Sequence, residues 1–273
     1  MSSKISLAGD LGSGKSTVSD ILVQRLHAEY YSTGKKVRSI AERMGMTVVE
    51  LNKYMEDHPE IDNEIDDGLV RLADEPGSWI IDSRMAWHFT GGTFKVYLST
   101  DIETSALRIM NANRLGEHSA TLEQTVASTR ERRLSEQKRY MTQYNVDIKD
   151  LSNYDLVVDT TNASPEEVAG IILSSLELWK KDNSFRLCYL SPERINYPDD
   201  APDVDKLTEL SGELEQGSAL PEITVFEKDG EFYLEEGLES ALAYAFAMST
   251  FVPARLVCSE LGDRKFVRMK NSI

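Results

Sequence analysis

The sequence is poor in several things at once. Its 273 residues include two cysteines, Cys188 and Cys258, eight prolines and four histidines. With no secretion signal ahead of them, the two cysteines predict buried free thiols, not a disulfide framework. No run of 18 apolar residues occurs, which argues against a membrane-spanning helix. Met1-Ser2-Ser3-Lys4 leads directly into Ile5-Ser6-Leu7-Ala8, leaving no room for a signal peptide, so the expected location is cytoplasmic. Positive charge is scarce: 30 Lys and Arg face 46 Asp and Glu, a formal net charge of −16. That balance speaks against a nucleic-acid polymer or an anionic membrane surface as partner, since both want a basic face. It leaves room for a nucleotide, which a local arginine cluster can hold inside an acidic protein.

What is present is alternation. Short apolar runs read as strands at 5–8, 29–31, 79–82, 94–98 and 155–159. Between them, helical spacing predicts helices over 16–26, 35–44, 47–56, 61–73, 101–111, 121–143 and 165–181. Thr47/Glu50 and Thr121/Gln124 have the spacing of capping boxes, and Ser164-Pro165 gives an N-cap followed by proline at the first helical position. Strands alternating with helices imply a parallel sheet covered on both faces. The expected class is therefore α/β, a three-layer fold with a five-stranded parallel sheet, over residues 1–183. From 184 the character changes. Four of the eight prolines fall between Pro192 and Pro221, and residues 184–273 hold 17 acidic against 9 basic residues. Strands at 185–190, 222–226, 231–234 and 254–257, helices at 203–216 and 238–248, and an Asp229-Gly230 hairpin turn predict a smaller α+β domain.

Gly9-Asp10-Leu11-Gly12-Ser13-Gly14-Lys15-Ser16 fits G-x-x-x-x-G-K-[ST] in full, between a predicted strand and a predicted helix. Such a loop points successive backbone N–H groups at a phosphate, and the helix dipole adds to the field. Gly9, Asp10, Gly12, Ser13, Gly14, Lys15, Ser16 and Thr17 are the candidate ATP-binding residues. Lys15 would reach the β- and γ-phosphates, and Ser16 would hold Mg²⁺.

A phosphate acceptor brings further negative charge, for which arginine forks are suited. Arg38, Arg84, Arg108, Arg114, Arg130, Arg132, Arg133 and Arg139 lie in regions that would border the site. Asp82 and Arg84 sit at the C-terminal end of a predicted strand, where ligands bind in such sheets. Asp82 is a candidate for water-mediated contact with Mg²⁺. Arg132, Glu136 and Arg139 share one helix face, and spacing alone reads this face as exposed and laced with ion pairs.

Residues 4–179 resemble the archaeal-type cytidylate kinases, a branch of the nucleoside monophosphate kinases. The likeness runs through Ser32-Thr33-Gly34-Lys35-Lys36-Val37-Arg38, Asn52-Lys53-Tyr54 to His58-Pro59-Glu60-Ile61-Asp62, Asp82-Ser83-Arg84, Ser135-Glu136-x-x-Arg139-Tyr140 and Tyr154 to Thr160. The resemblance implies that Ser32, Thr33 and Arg38 border the acceptor monophosphate and that Arg84 holds its phosphate. It implies that Arg132 and Arg139 clamp phosphate during transfer and that Glu136 hydrogen-bonds the cytosine edge. It also implies a lid near 108–118 whose Arg108 and Arg114 close over the transferring group. Two departures stand out. Ser83 replaces the usual glycine, and the lid is poorer in positive charge. The implied reaction is transfer from ATP to CMP or dCMP, with Mg²⁺. A kinase for another small acceptor, and a weakly active nucleotide-binding regulator, remain open beside it. The C-terminal region weakly resembles the ParB/sulfiredoxin-like fold. There Gly237 is followed by Leu238-Glu239-Ser240 where that fold carries phosphate chemistry, so a structural, partner-binding or self-association role is expected.

Overall fold

A computed structural model describes residues 3–112, 121–184 and 186–268. The first half alternates as the apolar spacing requires: β1 (Lys4–Gly9), α1 (Lys15–Leu26), β2 (Glu29–Ser32), α2 (Thr33–Met44), α3 (Val48–Tyr54) and α4 (Pro59–Arg71). Then follow β3 (Trp79–Asp82), a short α5 (Ala86–Phe89), β4 (Phe94–Ser99), α6 (Ile102–Asn111), α7 (Leu122–Tyr144), β5 (Leu156–Asp159) and α8 (Pro165–Trp179). The capping boxes at Thr47/Glu50, Thr121/Gln124 and Ser164/Glu167 all form, and each satisfies helix N–H groups that would otherwise lack partners.

Strands β5, β4, β1, β3 and β2 lie side by side in that order, all parallel. The α/β class and the five-stranded parallel arrangement expected for this half are what the chain adopts. Side chains alternate across the sheet. Ile5, Leu7, Phe94, Val96, Leu98, Leu156 and Val158 pack under α1 and α8 on one face. Ala8, Tyr97 and Val157 point to the other. Burial of each large apolar side chain contributes about 1.5–3 kcal/mol as an upper estimate, so this layering fixes the strand register.

The C-terminal third contains β6 (Leu187–Leu190), β7 (Ile195–Pro198), α9 (Val204–Glu215), β8 (Ile223–Lys228), β9 (Glu231–Glu236), α10 (Leu238–Phe246), β10 (Val252–Leu256) and β11 (Phe266–Arg268). Asp229 and Gly230, both at positive φ, turn β8 into β9. Strand β6 pairs in parallel with β5, and β10, β8, β9, β7 and β11 continue outward, so the sheet runs unbroken across residue 184. One apolar cluster joins Ala8, Tyr97, Tyr154 and Val157 to Ile223, Val225, Leu234 and Ala254. The short strands β7 and β11 lie outside the expected set. Pro198 ends β7, a residue that cannot donate to a ladder.

Two expectations need adjustment. Both cysteines are free, but only Cys188 is buried, because Cys258 lies past the end of β10 and is exposed. Phe185, the expected start of β6, lies outside the described residues. Among the described residues no helix is long and apolar enough to cross a membrane.

Candidate functional site

The site is built where β1 and β3 end. Strand β1 ends at Gly9, whose φ of 147° and tight fit leave no room for a side chain: a Cβ would lie 2.3 Å from the Leu98 carbonyl oxygen. Gly12, at φ 74°, is pressed against Ser105 in the same way, its Cβ 2.6 Å from a backbone oxygen. Glycine at both positions lets the loop turn tightly between β4 and α6. Helix α1 then starts at Lys15 with Gly14 as N-cap and no side chain capping its first N–H groups. Those uncapped groups and the helix dipole make the loop an anion seat.

Beside the loop is a cavity of about 260 Å³, lined by Gly12 to Gly14 of the loop and Ser16 to Val18 of α1, by Arg108 and Ile109 of α6, and by Thr160 and Pro165. Ser16 and Thr17 line it as expected. Arg108 is fastened to its wall. The guanidinium donates to the Thr160 carbonyl at 2.6 Å, the Thr160 hydroxyl at 3.1 Å and the Gly12 carbonyl at 3.5 Å. Arg114 and most of the expected lid lie outside the described residues.

Lys15 folds back over its own loop, donating to the Gly9 and Asp10 carbonyls at 3.0 and 2.7 Å. Burial, together with the nearby Arg84 charge, lowers its pKa to about 8, against the pull of Asp82, Asp10 and Glu136. Asp10 contributes its backbone to the loop, while its carboxylate turns inward. There it meets Lys149, Tyr97 at 3.0 Å, the Thr100 N–H at 3.1 Å and Arg133 at 3.8 Å. Burial works to raise the Asp10 pKa, but the Lys149 and Arg133 charges outweigh it and hold the carboxyl well below the usual range.

A second, tighter cavity of about 50 Å³ is lined by Arg84, whose charge acts on Lys15. Thr33, Gly34 and Arg38 of α2 line one end, Ser83 and Arg84 its floor, and Arg132, Glu136 and Arg139 of α7 its roof. Ser32 is not on the lining. It is buried as the N-cap of α2, accepting from Lys35 N–H at 3.3 Å, and reaches Asp82 at 3.5 Å. Asp82 also accepts from the Tyr30 hydroxyl at 3.1 Å, and its charge acts on Lys15. Ser83 has no positive φ, so the side chain costs no backbone strain, and its hydroxyl accepts from Met85 N–H at 3.2 Å. The turn that presents Arg84 is thus made without glycine.

The face read from spacing as exposed is partly inside the protein. Glu136 is 6% exposed, with Arg84 Nε at 2.6 Å and Arg132 Nε at 3.3 Å from its two oxygens. Burial opposes its charge, yet Arg84, Arg132, Arg139 and Lys15 hold its pKa below the usual value. Arg139 points the other way, donating to Asn52 Oδ1 at 3.2 Å and ion-pairing with Asp62 Oδ2 at 3.5 Å. Asp62 is 3% exposed, lines the cavity, and its Oδ2 accepts no hydrogen bond. Burial raises its pKa, with Arg139 opposing.

The structure therefore brings Lys15, Arg84, Arg132, Glu136 and Arg139 together and leaves Arg38 at the exposed rim of the same cavity. Arg133, named from the sequence only as a residue bordering the site, donates to the Leu11 carbonyl of the loop at 3.4 Å. Sequence reasoning missed Lys149, which pairs with Asp10 across 139 positions of chain. Asp62 and Asn52 stood in the motifs that carried the resemblance, but with no role attached. The run of arginines around Arg132 was the only sequence signal for Arg133.

Comparison with known proteins gives the family. The family model described as the cytidylate kinase-like family matches residues 4–162. A cytidylate kinase of Sulfurisphaera tokodaii is 36% identical over 185 residues, 66% of this chain and 98% of that one. The cytidylate kinase of Haloarcula marismortui is 36% identical over 180 residues, 65% of this chain and 91% of that one. The match also extends to a larger protein, an S-adenosylmethionine-dependent nucleotide dehydratase of Lacinutrix mariniflava, at 34% identity over 67% of this chain and 37% of that one. With the family match covering more than half of its residues, the chain belongs to the cytidylate kinase-like family.

Proposed function

We propose that this protein transfers the γ-phosphoryl group of ATP to a nucleoside monophosphate, with CMP or dCMP the preferred acceptor, giving the diphosphate and ADP. One observation carries the reading: Arg84 lines the cavity under an arginine cluster, and its charge acts on Lys15 of the phosphate loop, against which the other cavity lies. A donor phosphate chain seated on the loop would point toward an acceptor phosphate held by Arg84.

The chemistry asks for placement and charge neutralisation, not covalent catalysis. Loop N–H groups and Lys15 hold the β- and γ-phosphates. Gly14, Ser16 and Thr17 begin the helix beneath them, and Arg108 walls the nucleoside part. Arg84 and Arg132 meet the acceptor phosphate and the transferring group, with Arg38 at the rim and Thr33 at the N-terminus of α2. Ser16 and Asp82 supply the hard oxygen donors that suit Mg²⁺, which when bound would neutralise phosphate charge. Because Glu136 already satisfies Arg84 and Arg132, the base edge falls to Arg139 and Asp62. A cation paired with a carboxylate oxygen that accepts no hydrogen bond matches the acceptor N3 and the donor amino group of cytosine, and opposes the carbonyl of uracil. The expected cytoplasmic setting fits substrates of this kind.

Lys15→Ala in the full chain tests the assignment. Monophosphate-dependent ADP formation should fall by about 100-fold or more; transfer at the wild-type rate would exclude the phosphate loop as the donor site.

A further inference from the structure

The segment matched by the family ends at residue 162, and the C-terminal third is bonded to that end. Asp159 closes β5. Its Oδ1 accepts from the Thr161 N–H and hydroxyl at 3.2 and 2.7 Å, and its Oδ2 accepts from Ser191 N–H at 3.2 Å. Three positions on, Asn162 Nδ2 donates to Ser191 Oγ at 3.0 Å and to Glu193 Oε2 at 2.9 Å. Arg194 is 3% exposed, and its guanidinium charge acts on both Asp159 and Asp101, the N-cap of α6. Thr250, in the turn before β10, adds a bond to Glu167 at 3.1 Å, the capping residue of α8.

The opposite side of this same loop is the nucleotide cavity. Thr160, Ala163 and Pro165 line it, and the Thr160 and Thr161 carbonyls hold Arg108. The loop after β5 thus has a ligand cavity on one side and Ser191 to Arg194 on the other. A segment of this kind, with few apolar contacts of its own, takes its rigidity from its hydrogen-bond partners. Here Thr160 and Thr161 are held by Ser99, Asp101 and Arg108, while the partners of Asn162, Ser191 and Glu193, come from outside the family-matched segment.

We propose that Ser191, Glu193 and Arg194 are positioning residues for the donor nucleotide: they fix Thr160–Asn162 and, through Arg108, the shape of the cavity that takes the nucleoside part of a nucleoside triphosphate. The inference rests on the reading of that cavity as the donor site. It makes donor affinity depend on the C-terminal third. The acceptor cavity, which contains no residue from this loop or from beyond it, stays unaffected.

The test uses the full chain and calorimetric titration of ADP and of CMP separately, with thermal unfolding of each variant. Asn162→Ala and Glu193→Ala should each weaken ADP binding by about fivefold, in line with the loss of one or two hydrogen bonds. CMP affinity should stay at the wild-type value. Glu193→Gln keeps an acceptor oxygen for Asn162 and should recover most of the ADP affinity lost in Glu193→Ala. Should Asn162→Ala fail to fold, the Glu193 pair decides. Unchanged ADP affinity in the alanine variants overturns the inference, as does an equal loss for ADP and CMP, which would mark general loosening. A wild-type chain that binds CMP but not ADP overturns the donor-site reading and the inference with it.

Discussion

Arg84 and Glu136 stand 2.6 Å apart, an ion pair that joins the turn after β3 to the middle of α7 on the lining of the second cavity. Arg132, one turn earlier on α7, shares the same carboxylate at 3.3 Å. Two arginine forks, proposed as phosphate ligands, are thereby held in place by an internal anion, and the cost of gathering like charges is met before a ligand arrives.

Removing that anion should therefore be costly, and a ligand should compensate. Glu136→Gln leaves two arginines without their carboxylate and should lower stability by about 3 kcal/mol or more at neutral pH. The wild-type contribution is present above the unfolded carboxylate pKa of 4.5 and is lost as pH falls through the depressed folded value, so the two proteins should converge in acid. CMP should raise the melting temperature more in Glu136→Gln than in the wild type, because its phosphate replaces the missing charge. An equal CMP shift in both proteins would contradict this account of the pair.

The ammonium of Lys15 gives a second handle. Its pKa in the free protein is about 8, depressed by burial and by Arg84. Phosphate favours the charged form and raises that value. ADP binding at pH 9 should then take up protons, while at pH 6.5, where Lys15 is already charged, Lys15 should contribute no uptake. Calorimetry in buffers of different ionisation enthalpy measures this directly, with Lys15→Met as the control in which the uptake at pH 9 disappears.

The proposed function places base choice on Asp62. Asp62→Asn replaces one acceptor oxygen with an amide donor, which the uracil carbonyl accepts and the cytosine amino group does not. The ratio of kcat/KM for CMP over UMP should fall by about tenfold or more. An unchanged ratio would return the base edge to Glu136, the residue to which the family resemblance assigned it.

We propose residues 1–183 and 184–273 as two units sharing one sheet. A chain ending at 183 would expose the hydrogen-bonding edge of β5 and the cluster around Tyr97, Tyr154 and Val157. Its melting temperature should be lower than that of the full chain. Equal melting temperatures would show that the seam contributes nothing to the first unit.

Much of this was legible in the sequence, for physical reasons that differ by element. Buried parallel strands such as Trp79–Asp82 and Phe94–Ser99 announce themselves as short apolar runs, and the phosphate loop by glycines that no other residue could replace. Capping pairs sit three residues apart and can be counted. Burial of a charged helix face cannot be counted: the i, i+4 spacing of Arg132 and Glu136 is the same on an exposed helix as on one closed over by Arg84. Contacts between distant positions, such as Lys149 with Asp10 or Asn162 with Glu193, leave no local pattern. Strands β7 and β11, four and three residues long, are too short to show a period.

The central claim is phosphoryl transfer to a cytidine monophosphate, and the most direct measurement is coupled ADP release by the full chain with ATP and Mg²⁺ over CMP, dCMP, UMP and AMP. The account predicts ADP formation that depends on added acceptor, with CMP or dCMP giving the highest kcat/KM. ADP release that none of the four stimulates would contradict it.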